Sequence, residues 1–208
     1  MLELIVLSLG LSCVTAVASL ILGKARAASK TVACVGGMAA AAAGAAGGIM
    51  ALFGPAVYVS LPGPMPFTDF TLLLNPLAGL LVAVIAVLAF AAWLYGLSYF
   101  DEYYDKGIGV IGFFMNLFIA SMDLVILVDN AFWFLVFFEL MSLTSYVLVI
   151  IDQTEKSLRG GFLYLVMAHI GFLMIALSFF TMAVSAGSLE FMDYRTCAFA
   201  PATATIAF

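Results

Sequence analysis

The stretch WFLVFFELMSLTSYVLV, residues 133–149, is a run of bulky apolar side chains with one carboxylate, Glu139, near its middle. It approaches the ~20 residues that a helix needs to cross the ~30 Å hydrocarbon core of a bilayer. A lone charge at that depth is costly unless it is paired or hydrated. How many such runs the chain has, and what Glu139 meets, decides the fold and the candidate chemistry.

The rest of the chain has the same character. Its 208 residues are 66% hydrophobic and 9% charged, with a mean hydropathy of +1.23. Soluble domains are about half apolar and about a quarter charged. The reading is therefore an all-α polytopic membrane protein, one helical domain over residues 1–208, with the lipid bilayer as its surroundings. The net charge of −5 and seven scattered Lys and Arg residues offer no basic patch for nucleic acid. Cys13, Cys34 and Cys197 form no CxxC pair, so no metal or iron–sulfur site is expected. No phosphate-binding loop, dinucleotide fingerprint or HExxH is present, and no cofactor is expected. The chemistry left open is movement of protons or ions.

Apolar runs place spans at 2–23, 31–53, 76–99, 108–128, 131–151 and 160–185, and a seventh is expected to begin near 197. Only Asp129 and Asn130 separate the fourth and fifth, which predicts a tight antiparallel pair. Lys24, Arg26, Lys30, Lys106, Lys156 and Arg159 fall in alternate connections, 24–30, 101–107 and 152–159, and only Arg195 falls opposite. The positive-inside rule then puts those loops in the cytoplasm and the N-terminus outside. Glu3 precedes the first apolar run and the basic residues follow it, which argues for a retained helix over a cleaved signal peptide. The outer connection, GPAVYVSLPGPMPFTDFTLLLN at 54–75, has two strand-like pieces around PGP. A short β-hairpin is expected there, with an irregular Pro-rich loop as the alternative. The second span is rich in Gly and Ala, with Gly44 and Gly48 one turn apart, which is a signal for close helix packing.

Three ionisable residues lie within spans: Asp123, Glu139 and His169. At 1.5 Å per residue, Glu139 lies roughly 12 Å from the outer end of its span and His169 roughly 13–14 Å from the inner end of the next, both near the midplane. Asp123 is shallower, within reach of the outer interface. On the fifth span Glu139, Ser142 and Tyr146 share a face, and on the fourth Asn116, Ala120 and Asp123 do. These six polar positions are the candidate site: Glu139, His169 and Asp123 for proton transfer, and Ser142, Tyr146 and Asn116 for ordering water. Each has a plainer reading. Glu139 could be interhelical glue, His169 a packing histidine and Asp123 a group reaching for interfacial water. Every Lys and Arg lies outside the spans, so His169 is the one intramembrane cation this chain could offer Glu139.

Three segments carry a family resemblance: GFFMNLFIASM at 112–122, DNAFWFLVFFELMSLTSYVLV at 129–149 and GGFLYLVMAHIGFLMIA at 160–176. They resemble the antiporter-like membrane subunits of respiratory complex I and multisubunit cation/proton antiporters. Within that family they look most like the component-B-type subunits of hydrogenase-4 and formate hydrogenlyase. The resemblance covers about residues 70–195. It implies that Glu139 matches a fifth-helix proton-channel glutamate and His169 a sixth-helix position of the hydrogenase-type members. Asp123 departs from the usual residue in its stretch. The family's glutamate has a lysine partner on the seventh of about fourteen spans, and TCAFAPATATIAF at 196–208 resembles the start of that helix. The expectation is thus an N-terminal part of a larger subunit. It would sit in a prokaryotic plasma membrane and partner other membrane and soluble subunits of a hydrogenase or complex-I-like assembly. Those soluble partners would carry the redox chemistry. A sodium/proton antiporter subunit and a structural anchor without conduction are the alternatives.

Overall fold

A computed structural model describes residues 1–65, 68–100 and 107–198. Among the described residues six helices are long and apolar enough to cross a membrane: α1 (Leu2–Ile21, extended by a 3₁₀ turn to Lys24), α2 (Arg26–Leu52), α3 (Pro76–Tyr99), α4 (Ile108–Leu127), α5 (Ala131–Val149) and α6 (Glu155–Ala186). A short α7 (Phe191–Thr196) follows. The expected hairpin is present: β1 (Val57–Met65) pairs antiparallel with β2 (Thr68–Leu74), Val57 opposite Leu74 and Leu61 opposite Phe70, with a register irregularity beyond Leu61. The chain is a multi-pass membrane protein with a small β-element at one end of the bundle.

Helix starts are written locally. Asn75 accepts from Ala78 N at 2.8 Å and Pro76 opens α3, while Thr154 accepts from Ser157 N at 3.1 Å at the start of α6. Gly187, at φ +71, ends α6 in the left-handed conformation that glycine tolerates. Two boundaries differ from expectation. α2 starts at Arg26 instead of 31, and α6 at Glu155 instead of 160. Arg26, Lys30, Lys156 and Arg159 are therefore helical. A charge ends a hydrocarbon span but not a helix, and long basic side chains reach water from the first turns. The expected seventh span lies outside the described residues from 199 onward.

α1 to α4 form a block built on small residues. A Cβ placed on Gly37 would come within 2.4 Å of the Trp93 indole, and on Gly48 within 2.6 Å of Gly79 O. Gly36 and Gly47 press in the same way on Thr15 and Ile5 of α1. α2 is thus wedged between α1 and α3 at backbone distance. α4 closes the block: Gly109 and Gly112 lie against Ser19 and Gly23.

At the hairpin end the α4–α5 connection is stitched between β2 and the segment before α7. Asp129 N donates to Thr71 O at 3.0 Å, Ala131 N to Leu189 O at 2.8 Å and Phe191 N to Asp129 O at 3.1 Å. The Glu190 carboxylate accepts from the Thr71 hydroxyl and the Asn130 amide, both at 2.7 Å. Asn130 also donates to Thr68 Oγ1 at 2.9 Å, and its carbonyl oxygen caps α5 through Phe132 N and Trp133 N. This polar latch ties the hairpin, α5 and the end of α6 together.

Candidate functional site

α5 and α6 run antiparallel, which sets Glu139 and His169 at the same depth. Glu139 Oε1 lies 3.0 Å from His169 Nε2. His169 Nδ1 lies 2.9 Å from Leu165 O, one turn back on its own helix. A carbonyl only accepts, so Nδ1 carries a hydrogen. Nε2 then faces the carboxyl, and a single proton between them makes the pair either acid and neutral imidazole or carboxylate and imidazolium. The second carboxyl oxygen, Oε2, is buried and has no hydrogen-bond partner among the described residues.

The surroundings of this pair are asymmetric along the helices. Toward the basic end lie Ser142, buried and donating to Phe138 O at 3.0 Å, and Ser145, hydrogen-bonded across the helices to the Tyr164 hydroxyl. Tyr146 faces α6 at Gly161, where an added Cβ would come 3.3 Å from its ring. Toward the hairpin end the interface is aromatic. Phe134 packs edge-on to Phe179 at 5.3 Å and to Phe191 at 6.0 Å, and stacks with Phe138 at 6.0 Å. Sequence spacing missed Ser145 and Tyr164. Ser145 lies six positions from Glu139, off its helical stripe, and meets Tyr164 only because a tyrosine spans the gap between helices.

Asp123 and Asn116 are elsewhere, on α4. Asn116 is 1% exposed and donates to Gly112 O at 3.0 Å. Asp123 is 4% exposed, and its buried Oδ1 has no hydrogen-bond partner among the described residues. It does not reach out to the interface, because the α4 end is covered: Val128 is bridged to Leu72 of β2. No described contact joins Asp123 to the Glu139–His169 pair.

Residues 129–207 match the family model described as NADH:quinone oxidoreductase/Mrp antiporter, transmembrane. Glu139 and His169 lie within the match, and Asp123 lies before it. The chain is 44% identical to hydrogenase-4 component B of Escherichia coli over 145 residues, 70% of this chain and 22% of that protein. An uncharacterized protein of Mycobacterium tuberculosis is 28% identical over 160 residues, 75% of this chain and 25% of its own length. The chain thus spans about a quarter or less of these relatives. Among solved structures, a chain of the membrane-bound sulfane sulfur reductase, an archaeal respiratory membrane complex, superposes with a TM-score of 0.84 at 17% identity, covering 98% of this chain and 42% of that one. A chain of the Mrp complex from Dietzia gives 0.81 at 22% identity, covering 98% and 22%. At such identities the two structures establish a shared fold.

Proposed function

From the chain's membership of the antiporter-like membrane subunit family of complex-I-type and Mrp-type assemblies, we propose that it takes part in proton translocation within a hydrogenase-linked complex. Glu139 takes up and releases the proton, His169 relays it, and Ser142 and Tyr146 order water on the way. The redox step belongs to partner subunits. The observation that supports this reading is the 3.0 Å contact between Glu139 Oε1 and His169 Nε2, with Nδ1 committed to a carbonyl. That geometry leaves one proton to be shared, and a cation brought near the carboxyl by another segment would shift it toward the imidazole side or release it. An opposite charge within ~4–6 Å favours the ionised carboxylate. The 44% identity to hydrogenase-4 component B favours the hydrogenase-linked assembly over a sodium/proton antiporter.

Glu139→Gln tests the assignment in the full-length protein within its assembled complex. Gln keeps the shape and hydrogen bonding of the protonated acid but cannot ionise. Assembly should stay intact while coupled proton translocation falls at least about tenfold, as loss of a proton-transfer group implies. Glu139→Asp should retain part of it. Normal pumping by Glu139→Gln would leave the residue as interhelical glue. If the variant failed to assemble, infrared detection of the wild-type carboxyl changing protonation during turnover would decide.

The proposed orientation places the hairpin and the N-terminus outside a prokaryotic inner membrane. A cysteine at position 62 should then be labelled by an impermeant reagent from outside and one at 104 should not. The reverse pattern would invert the topology.

A further inference from the structure

Asp129 stands in the two-residue turn between α4 and α5. Both of its backbone groups serve the latch, the N–H donating to Thr71 O and the carbonyl accepting from Phe191 N. Its side chain is 3% exposed, and its described partner is Arg195, with Oδ1 3.6 Å from Nη2. That is an ion-pair distance but too long for a hydrogen bond. Oδ2 is buried and accepts no hydrogen bond among the described residues. A carboxylate has about four lone-pair sites, and a buried charge is costly unless it is hydrogen-bonded as well as paired.

The carboxylate lines a cavity of about 350 Å³ between the first turns of α3, the end of α4, the start of α5, and α7. Ligand sites begin at roughly 300 Å³ and combine apolar walls with a few placed polar groups. The walls here are Leu77 and Leu81 of α3, Ile126 of α4 and Phe134 of α5, and the charged groups are Asp129 and Arg195. Leu77 and Leu81 stand one turn apart on an apolar span and are 65% and 43% exposed, so that side of the cavity opens toward hydrocarbon. α3 begins at Pro76 and α4 ends at Leu127, which sets the two charges at the level where the spans leave the membrane. Arg195 is half-exposed, and its guanidinium has five N–H donors, none of them within hydrogen-bond distance of Asp129.

We propose that this cavity holds a phospholipid whose headgroup ends in a primary ammonium. The ammonium donates to the Asp129 carboxylate, the phosphate accepts from Arg195, and an acyl chain descends past Leu77 and Leu81. Each charge then gains a charge-assisted hydrogen bond, the stronger kind. A trimethylammonium has no N–H to donate. A headgroup without a cation answers Arg195 and leaves Asp129 as it is. A soluble amine makes no use of the apolar walls. The lipid bridges α3, the α4–α5 turn and α7, and its binding does not depend on Glu139 and His169 conducting.

The full-length protein in its assembled complex, reconstituted in phosphatidylglycerol vesicles, tests this. Trace phosphatidylethanolamine carrying a photoreactive acyl chain is compared with phosphatidylcholine carrying the same chain, and cross-linked peptides are mapped by mass spectrometry. The ethanolamine lipid should label residues 76–81 and 125–134 severalfold more than the choline lipid. Asp129→Asn should reduce that labelling to the choline level and leave labelling elsewhere on the protein unchanged. Leu81→Trp, which fills the cavity and keeps both charges, should abolish it, and this variant decides if Asp129→Asn does not assemble. Equal labelling by the two lipids, or no effect of Asp129→Asn, would overturn recognition of the headgroup. No labelling by either lipid would mean that another protein segment occupies the cavity, and would overturn the lipid site.

Discussion

The α1–α4 block and the α5–α6 pair solve the same problem by opposite means. In the block, Gly36, Gly37, Gly47 and Gly48 bring backbones close enough that an added Cβ would meet a neighbour at 2.1–2.8 Å. Serine and threonine hydroxyls there are bonded to carbonyls of their own or adjacent helices. Across α5 and α6 the contacts are phenylalanine rings and long polar side chains. Gly161 and Ala176 are the buried residues on α6, while Phe162, Leu163, Met167, Leu173 and Met174 are each 60% exposed or more. Close approach gives a scaffold with one way to pack. A wider interface leaves room for an ionisable pair, and its outward face remains available to lipid or further helices.

The comparison is broken most directly by the same substitution on each side of it. Gly48→Val forces a side chain against backbone atoms, Gly79 O at 2.6 Å and Ala83 N at 2.8 Å, and no rotamer can relieve that. Over-packing of this kind should cost about 3 kcal/mol or more. Gly171→Val, on α6, meets nothing within 4 Å and should leave stability close to wild type. Denaturation of each variant in mixed micelles, followed by circular dichroism, measures both. Equal losses would mean that α6 is as tightly held as α2.

A smaller effect is expected where the two regions are joined. Asn130 caps α5 and donates to Thr68 Oγ1 and Glu190 Oε1. Asn130→Ala removes a helix cap worth ~1 kcal/mol and leaves the buried Thr68 Oγ1 and the half-buried Glu190 Oε1 short of a donor, at ~1 kcal/mol each or less. The total, about 2–3 kcal/mol, should appear as faster amide exchange in residues 68–74 and 188–196, with α2 and α3 unchanged. Uniform loosening of the whole bundle would show that the latch holds the block together as well.

Sequence made some of this legible and hid the rest for physical reasons. Spans could be read because hydrocarbon thickness fixes the length of an apolar run, and the hairpin because PGP separates VYVSL from FTLLL. The shared depth of Glu139 and His169 was legible, since antiparallel neighbours eight and nine residues from opposite ends lie level near the middle; that their side chains face each other was not, because depth does not fix which face of a helix meets its neighbour. The latch was illegible: Glu190 reads as an ordinary loop acid, and its partners Thr71 and Asn130 lie 119 and 60 residues away. Asp123 misled because its distance from the span end suggested water, whereas β2 covers that end.

The finest distinction between the two regions concerns Asp129, at their junction. Its side chain is 3% exposed; Oδ1 lies 3.6 Å from Arg195 Nη2, and Oδ2 is buried with no hydrogen bond among the described residues. Burial pushes its carboxyl above the usual carboxylate range. The Arg195 guanidinium pulls it back and the neighbouring Glu190 charge pushes it further up. A carboxyl raised on folding holds its proton at pH values where the unfolded chain has lost it. The folded state therefore binds more protons in that window, and stability falls as pH rises through the folded value. Above it the cost is constant and present at neutral pH. Asp129→Asn mimics the protonated acid and escapes that cost. The variant should match wild type in acid and exceed it at neutral pH by on the order of 1 kcal/mol or less, because the opposing Arg195 pair is half-exposed and weak. Arg195→Gln should move the other way, steepening the loss of wild-type stability with rising pH. Unfolding midpoints of the three proteins across the acid-to-neutral range measure both slopes. A less stable Asp129→Asn at neutral pH would show instead that the Arg195 ion pair outweighs the burial of its carboxylate and actively clamps α7 to the α4–α5 turn.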